Sequence, residues 1–123
     1  MQLRALVGDS AAIVGPETTL REVSAAMIDR SVAAVAVVDR TGLIGICTDR
    51  DLAASFADDA TAETAVVDVM TASPDVVEPE VAVREAGSWM LETGYRHLIV
   101  MEDGELLGIL DIRDVLWALV PKD

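Results

Sequence analysis

Two tetrapeptides in this chain, Thr48-Asp-Arg-Asp51 and Asp111-Ile-Arg-Asp114, set an oxygen-bearing side chain three residues ahead of an aspartate, each directly after an apolar run that contains a glycine. This spacing has two chemical uses. A hydroxyl or carboxylate at the first position caps the free N–H groups that open a helix, and an acid one turn in sits where the helix dipole favours negative charge, together worth about 1 to 2 kcal/mol. The same turn presents N–H groups to a phosphate, and its carboxylate can accept both hydroxyls of a ribose. Capping and nucleotide binding are compatible, so the tetrapeptides by themselves leave both open.

Other chemistry finds little support. His97, the only histidine, adjoins the apolar run "LIVM" and reads as a structural or phosphate-contacting residue rather than a general base. No Gly-x-Ser-x-Gly elbow is present, and Cys47, the single cysteine, lies in an apolar strand without a partner cysteine. Asp58-Asp59 and Glu102-Asp103 lack the alternating oxygen ligands of a calcium loop and read as linker and turn. No metal site and no enzyme are expected.

The elements that position the tetrapeptides follow from a repeat. Shifting the sequence by 63 residues aligns Val14–Leu52 with Val77–Val115 without a gap, and twelve of the 39 positions are identical, among them Gly45, Ile46, Arg50 and Asp51 with Gly108, Ile109, Arg113 and Asp114. Each copy runs from a short apolar segment, stopped by Pro16 or Pro79, into a stretch where Leu20, Val23 and Met27, or Val83, Ala86 and Met90, recur at helical spacing. Thr19 and Glu22 suit a capping box, whereas the second copy has Ala82 in place of the threonine. The pairs "AVAVVD"/"LIGICT" and "HLIVME"/"LLGILD", separated by Arg40-Thr41-Gly42 and Asp103-Gly104, predict β-hairpins. A second helix follows each, from Asp49 to about Ala57 and from Ile112 to about Leu119. The unit is β-α-β-β-α, of a size that cannot cover its own apolar surface. The expected organisation is residues 1–60 as repeat 1 and 61–123 as repeat 2, with the polar stretch 57–65 as the linker. Met27, Met90, Met101, Trp89 and Trp117 are expected in core or dimer packing, with Trp117 a candidate interface anchor.

Composition narrows the function classes. The 123 residues are 52% hydrophobic and 3% aromatic, so a core of Ala, Val, Leu, Ile and Met is expected. A net charge of −13 would repel a phosphate backbone, which argues against nucleic-acid binding. No apolar span is long enough for a membrane helix, the start does not read as a secretion signal, and the lone cysteine suits a reducing compartment, so a soluble cytoplasmic protein is expected.

The duplicated β-α-β-β-α unit ending in "GICTDRDL" and "GILDIRDV" resembles the cystathionine β-synthase (CBS) domain, whose motif is a glycine and two apolar residues, then Thr or Ser, two variable residues, and Asp. The resemblance covers both copies. It implies an α+β (α/β layered) fold of two pseudo-symmetric CBS repeats packed sheet to sheet, a Bateman module. It also implies a stand-alone regulatory module that holds an adenosine-containing ligand in clefts between the repeats, forms a homodimer and signals to a protein target that the sequence does not name. By resemblance, Asp51 and Asp114 would hold ribose hydroxyls and Thr48 a phosphate. Ile13, Val14, Val76 and Val77 would flank adenine, and Arg96 and His97 would meet phosphates. Arg50, Arg113 and Asp111 complete the expected ligand-binding set.

Two departures bear on the ligand. Asp111 stands where the motif has Thr or Ser, so a phosphate would meet a second carboxylate, and that cleft would be empty or would prefer a neutral or cationic compound such as S-adenosylmethionine. The first copy has Ala33-Ala34 where the second has Arg96-His97, so basic charge is available on one side only. AMP or ADP is therefore expected ahead of ATP, which would need magnesium to screen the repulsion. No resident cofactor is expected. The alternative reading is a ligand-free dimerisation module in which both tetrapeptides only cap helices.

Overall fold

The computed structural model describes residues 1–8 and 11–122. The chain falls into two compact units, Ala11–Pro74 and Met1–Ser10 with Asp75–Asp123. Residues 58–74 fall in the first of these units, and residues 1–8 fall in the other.

In the unit Ala11–Pro74, β1 (Ile13–Val14) pairs in parallel with β2 (Ala34–Asp39). An antiparallel hairpin joins β2 to β3 (Gly42–Thr48), and β3 pairs with β4 (Thr71–Ala72). Helix α1 (Leu20–Arg30) buries Leu20, Val23 and Met27, the positions that helical periodicity places on one face. Thr19 caps it reciprocally: its hydroxyl accepts the Glu22 N–H at 3.2 Å and Glu22 accepts the Thr19 N–H at 3.1 Å. Two further orphan donors of that first turn, the N–H groups of Leu20 and Arg21, are taken by the carbonyls of Thr64 and Ala62. The polar linker is thus pinned to the start of α1 by backbone bonds. A 3-10 turn, Val66–Asp68, follows and drives Val66 into a core with Leu20, Val23, Val35, Val37 and Cys47.

The other unit repeats this plan. Strand β5 (Val76–Val77) pairs in parallel with β6 (His97–Glu102), which forms an antiparallel hairpin with β7 (Glu105–Asp111). Helix α3 (Val83–Thr93) has no side-chain cap at Ala82, as its sequence predicts. Its Val83 N–H is met instead by the Met1 carbonyl. The N-terminal 3-10 turn, Leu3–Ala5, puts Leu3 among Val83, Met90, Leu98, Val100 and Val115. Leu3 and Val66 are 63 residues apart and both fully buried, so the repeat extends beyond its identical residues. The hairpins share even an irregularity, a register shift at Val37/Val38 and at Val100/Met101.

Gly45 and Gly108 are explained by these preceding segments. A Cβ on Gly45 would lie 2.9 Å from the Thr71 carbonyl oxygen, and one on Gly108 would lie 3.0 Å from that of Gly8. Each glycine lets the segment that opens a repeat lie against a hairpin strand. Met27 and Met90 are buried as expected, Trp89 and Met101 are half-buried, and Trp117 on α4 (Ile112–Leu119) is 63% exposed and so stands outside the core. Among the described residues no helix is long and apolar enough to cross a membrane.

Candidate functional site

The first tetrapeptide sits where β3 turns into α2 (Asp49–Ala57). Thr48 is the N-cap, in extended backbone conformation. Its hydroxyl accepts the Asp51 N–H at 3.2 Å, and Asp51 Oδ2 accepts the Thr48 N–H at 2.9 Å. The Thr71 hydroxyl of β4 donates to the same carboxylate, 3.2 Å from Oδ1 and 3.4 Å from Oδ2. The Asp49 N–H bonds to the Ala33 carbonyl at 2.9 Å and fixes the helix start against β2. Beneath the motif Cys47 is buried, and its thiol pKa is pushed up to about 12, first by burial and then by the Asp51 charge. A thiol held protonated in this way is core, not a nucleophile.

The second tetrapeptide has the same frame. The Ile112 N–H bonds to the Arg96 carbonyl at 2.8 Å, matching the Asp49–Ala33 bond. Asp111 caps α4: its Oδ1 accepts the Arg113 N–H at 2.7 Å, while Asp114 Oδ2 accepts the Asp111 N–H at 2.9 Å. His97 is the cross-strand partner of Asp111, with Nε2 3.5 Å from Oδ2 and only 8% of its side chain exposed. The histidine therefore belongs to the sheet and faces the departing aspartate.

Of the remaining expected residues, the apolar pairs lie two strands away from these helix starts. Ile13 pairs with Ala36 on one flank of β2, and Thr48 pairs with Ala34 on the other. Apolar pair and acidic motif thus lie about 10 Å apart across the sheet, two strand spacings, and two residues apart along it. Val76 and Asp111 stand in the same relation to Ile99 and His97 of β6. Ile13 is 56% and Val76 48% exposed, which is unusual for paired strand residues of this type, while Val14 and Val77 are half-buried. Arg50, Arg113 and Arg96 are all exposed, Arg96 directly before β6. A groove of about 400 Å³ takes in Val76 and Val77 with Glu78, Pro79, Glu80, Met101, Glu102, Asp103 and Gly104. It holds neither Asp111 nor Asp114, and its four carboxylates oppose an anion. Thr71 had no warning in the sequence, because its counterpart under the 63-residue shift is Gly8 and no motif spans Asp51 and a residue twenty positions on. No group of three or more His, Cys, Asp or Glu that could hold a metal occurs among the described residues.

The sequence profile of the CBS domain matches twice, at residues 4–58 and 66–121. The chain belongs to the CBS-domain family. Among its relatives, the CBS domain-containing protein CBSCBSPB5 of Arabidopsis thaliana is 36% identical over 112 residues, 89% of this chain and 20% of that protein. The chain spans about a fifth of the length of the Arabidopsis relatives it matches. The CBS-domain containing protein ATU1752 from Agrobacterium tumefaciens has a solved structure that matches with a TM-score of 0.91 and 27% identity, covering 98% of this chain and 100% of that one. CBSX2, a CBS-pair protein of Arabidopsis thaliana solved in complex with AMP, matches with a TM-score of 0.81 and 28% identity, covering 95% and 94%. The CBS assignment accounts for the mixed α and β architecture, with its four helices and two sheets, and for the tandem repeat.

Proposed function

We propose that this CBS pair is a regulatory module, not an enzyme. It binds an adenosine-containing ligand, a nucleoside mono- or diphosphate ahead of free ATP, and passes its occupancy to a protein partner. The observation that carries this reading is the Asp51 carboxylate, which already accepts a hydroxyl, from Thr71, at the start of a capped helix. The AMP complex of CBSX2 supports the choice of adenosine compound. In this reading Asp51 and Asp114 hold ribose hydroxyls and Thr48 meets phosphate. Ile13 and Val14, with Val76 and Val77, flank adenine, and Arg50, Arg96 and Arg113 supply positive charge. Beside Asp111 the second site takes an uncharged or cationic adenosyl compound such as S-adenosylmethionine. Ile28 of α1 and Leu91 of α3, exposed and 63 residues apart, together with Leu116 and Trp117 of α4, offer apolar helix surface for a homodimer. Buried, reduced Cys47 suits the cytoplasm.

A second reading is favoured by one observation: both tetrapeptides are engaged in capping boxes. Under it the motifs only start helices and the module is purely structural. Thermal unfolding against AMP, ADP, ATP with and without magnesium, and S-adenosylmethionine separates the two. A ligand at a hundred times its Kd adds about 2.7 kcal/mol and raises the midpoint by several degrees. The regulatory reading expects such a shift and its loss in Asp51→Ala. No shift with any compound, together with a loss of about 1 kcal/mol in Asp51→Ala, supports the capping role alone.

A further inference from the structure

The Asp51 carboxylate is already occupied. Oδ2 holds the Thr48 N–H, and the Thr71 hydroxyl straddles both oxygens from outside the helix. A vicinal diol that placed one hydroxyl on each oxygen would approach along the edge between them, the edge that the Thr71 hydroxyl already faces. Thr71 is exposed and lies on a two-residue strand, paired with β3 only through Ile46↔Thr71 and Gly45↔Ala72. The fold does not require this hydroxyl: the position equivalent to Thr71 in the other repeat is Gly8.

We infer that Thr71 is a built-in competitor for ribose at Asp51, a specificity-determining residue of the first motif. The inference rests on the reading that Asp51 takes ribose hydroxyls. A ligand that brings two hydroxyls exchanges one internal hydrogen bond for two, whereas a ligand with a single hydroxyl only replaces what Thr71 already provides. The exchange also releases the side chain of β4, the last strand before the chain leaves this unit at Pro74, so occupancy of Asp51 is felt first in that segment.

Isothermal titration with AMP tests this on the wild-type chain and on Thr71→Val, Thr71→Ser and Asp51→Asn. Valine keeps the β-branched shape without the donor. Thr71→Val is expected to bind AMP about three- to ten-fold more tightly than wild type, the worth of one ordinary hydrogen bond, since solvent at this exposed site weakens the bond to the carboxylate. Thr71→Ser, which restores the donor, restores the weaker binding. Thr71→Ala gives a second donor-free variant should valine disturb β4, with the same tightening expected. AMP binding that is absent from the wild type, or that survives in Asp51→Asn, overturns the ribose reading and this inference with it. Binding that Asp51→Asn abolishes but that is unchanged or weaker in both Thr71→Val and Thr71→Ala overturns the competitor role alone.

Discussion

His97 and Asp111 face one another across β6 and β7, Nε2 3.5 Å from Oδ2, at the two positions that Ala34 and Thr48 hold across β2 and β3. The repeats therefore differ by two residues on a single rung. A small side chain opposite a hydroxyl in one copy becomes an imidazole opposite a carboxylate in the other. The cross-strand distance explains why the departure at Asp111 comes together with a histidine, since directly opposed strand residues are close enough to interact. It also means that any anion at the second motif meets a carboxylate already directed at His97.

Exchanging that rung should show coupling. His97→Ala leaves space beside Asp111, and Asp111→Thr leaves the histidine without its carboxylate. The double variant rebuilds the Ala34–Thr48 pairing and is expected to lose less stability than the two singles together. Asp111 is more than a third exposed, so the coupling should be modest, about 0.5 to 1 kcal/mol. Denaturant unfolding of the four proteins measures it, and strictly additive losses would show that the two side chains do not interact.

The start of α1 should be acid-sensitive. Hydrogen bonds from Thr19, the backbone N–H first and the hydroxyl second, lower the Glu22 pKa below its ordinary value of 4.5. A group whose pKa is depressed by folding stabilises the native state above its unfolded pKa, and that contribution is lost as pH falls through the folded value. Stability measured between pH 7 and pH 3 should decline in this window, and Glu22→Gln should flatten that part of the profile. At neutral pH Thr19→Ala should cost about 1 kcal/mol. A Glu22→Gln profile that runs parallel to wild type would refute the assignment.

Leu3 and Val66 should stabilise different units. Leu3→Ala removes a fully buried side chain from the core of α3, β6 and β7 and should cost about 2 to 5 kcal/mol. Amide hydrogen exchange should then quicken in β6 and β7 before it does in β2 and β3. Val66→Ala should reverse the order, because Val66 packs with Leu20, Val35 and Cys47. If both substitutions loosened residues 76–119 equally, the two 3-10 turns would not serve separate units.

Much of this was legible from local pattern. The hairpins, all four helices and the contrast between Thr19 and Ala82 follow from periodicity and capping chemistry, which act within a few residues, and the structure places these helices at the residues the pattern indicates. The backbone bonds of residues 57–65 were not legible. The stretch 57–65 is polar and small, as a linker is, yet the carbonyls of Ala62 and Thr64 satisfy the first donors of α1, and a carbonyl bond leaves no mark in side-chain composition.

By itself the sequence determined that there are two copies of one β-α-β-β-α unit, that each presents an acid at the first turn of its second helix, and that the copies differ at Ala34 and Thr48 against His97 and Asp111. These are properties of neighbours along the chain or of the chain compared with itself. Only the tertiary structure decided that Leu3 completes the second repeat, that the Thr71 hydroxyl lies on Asp51, and that His97 faces Asp111. Such contacts join residues fourteen or more positions apart, with no period to announce them, and they depend on how far apart the strands lie and in what register they pair.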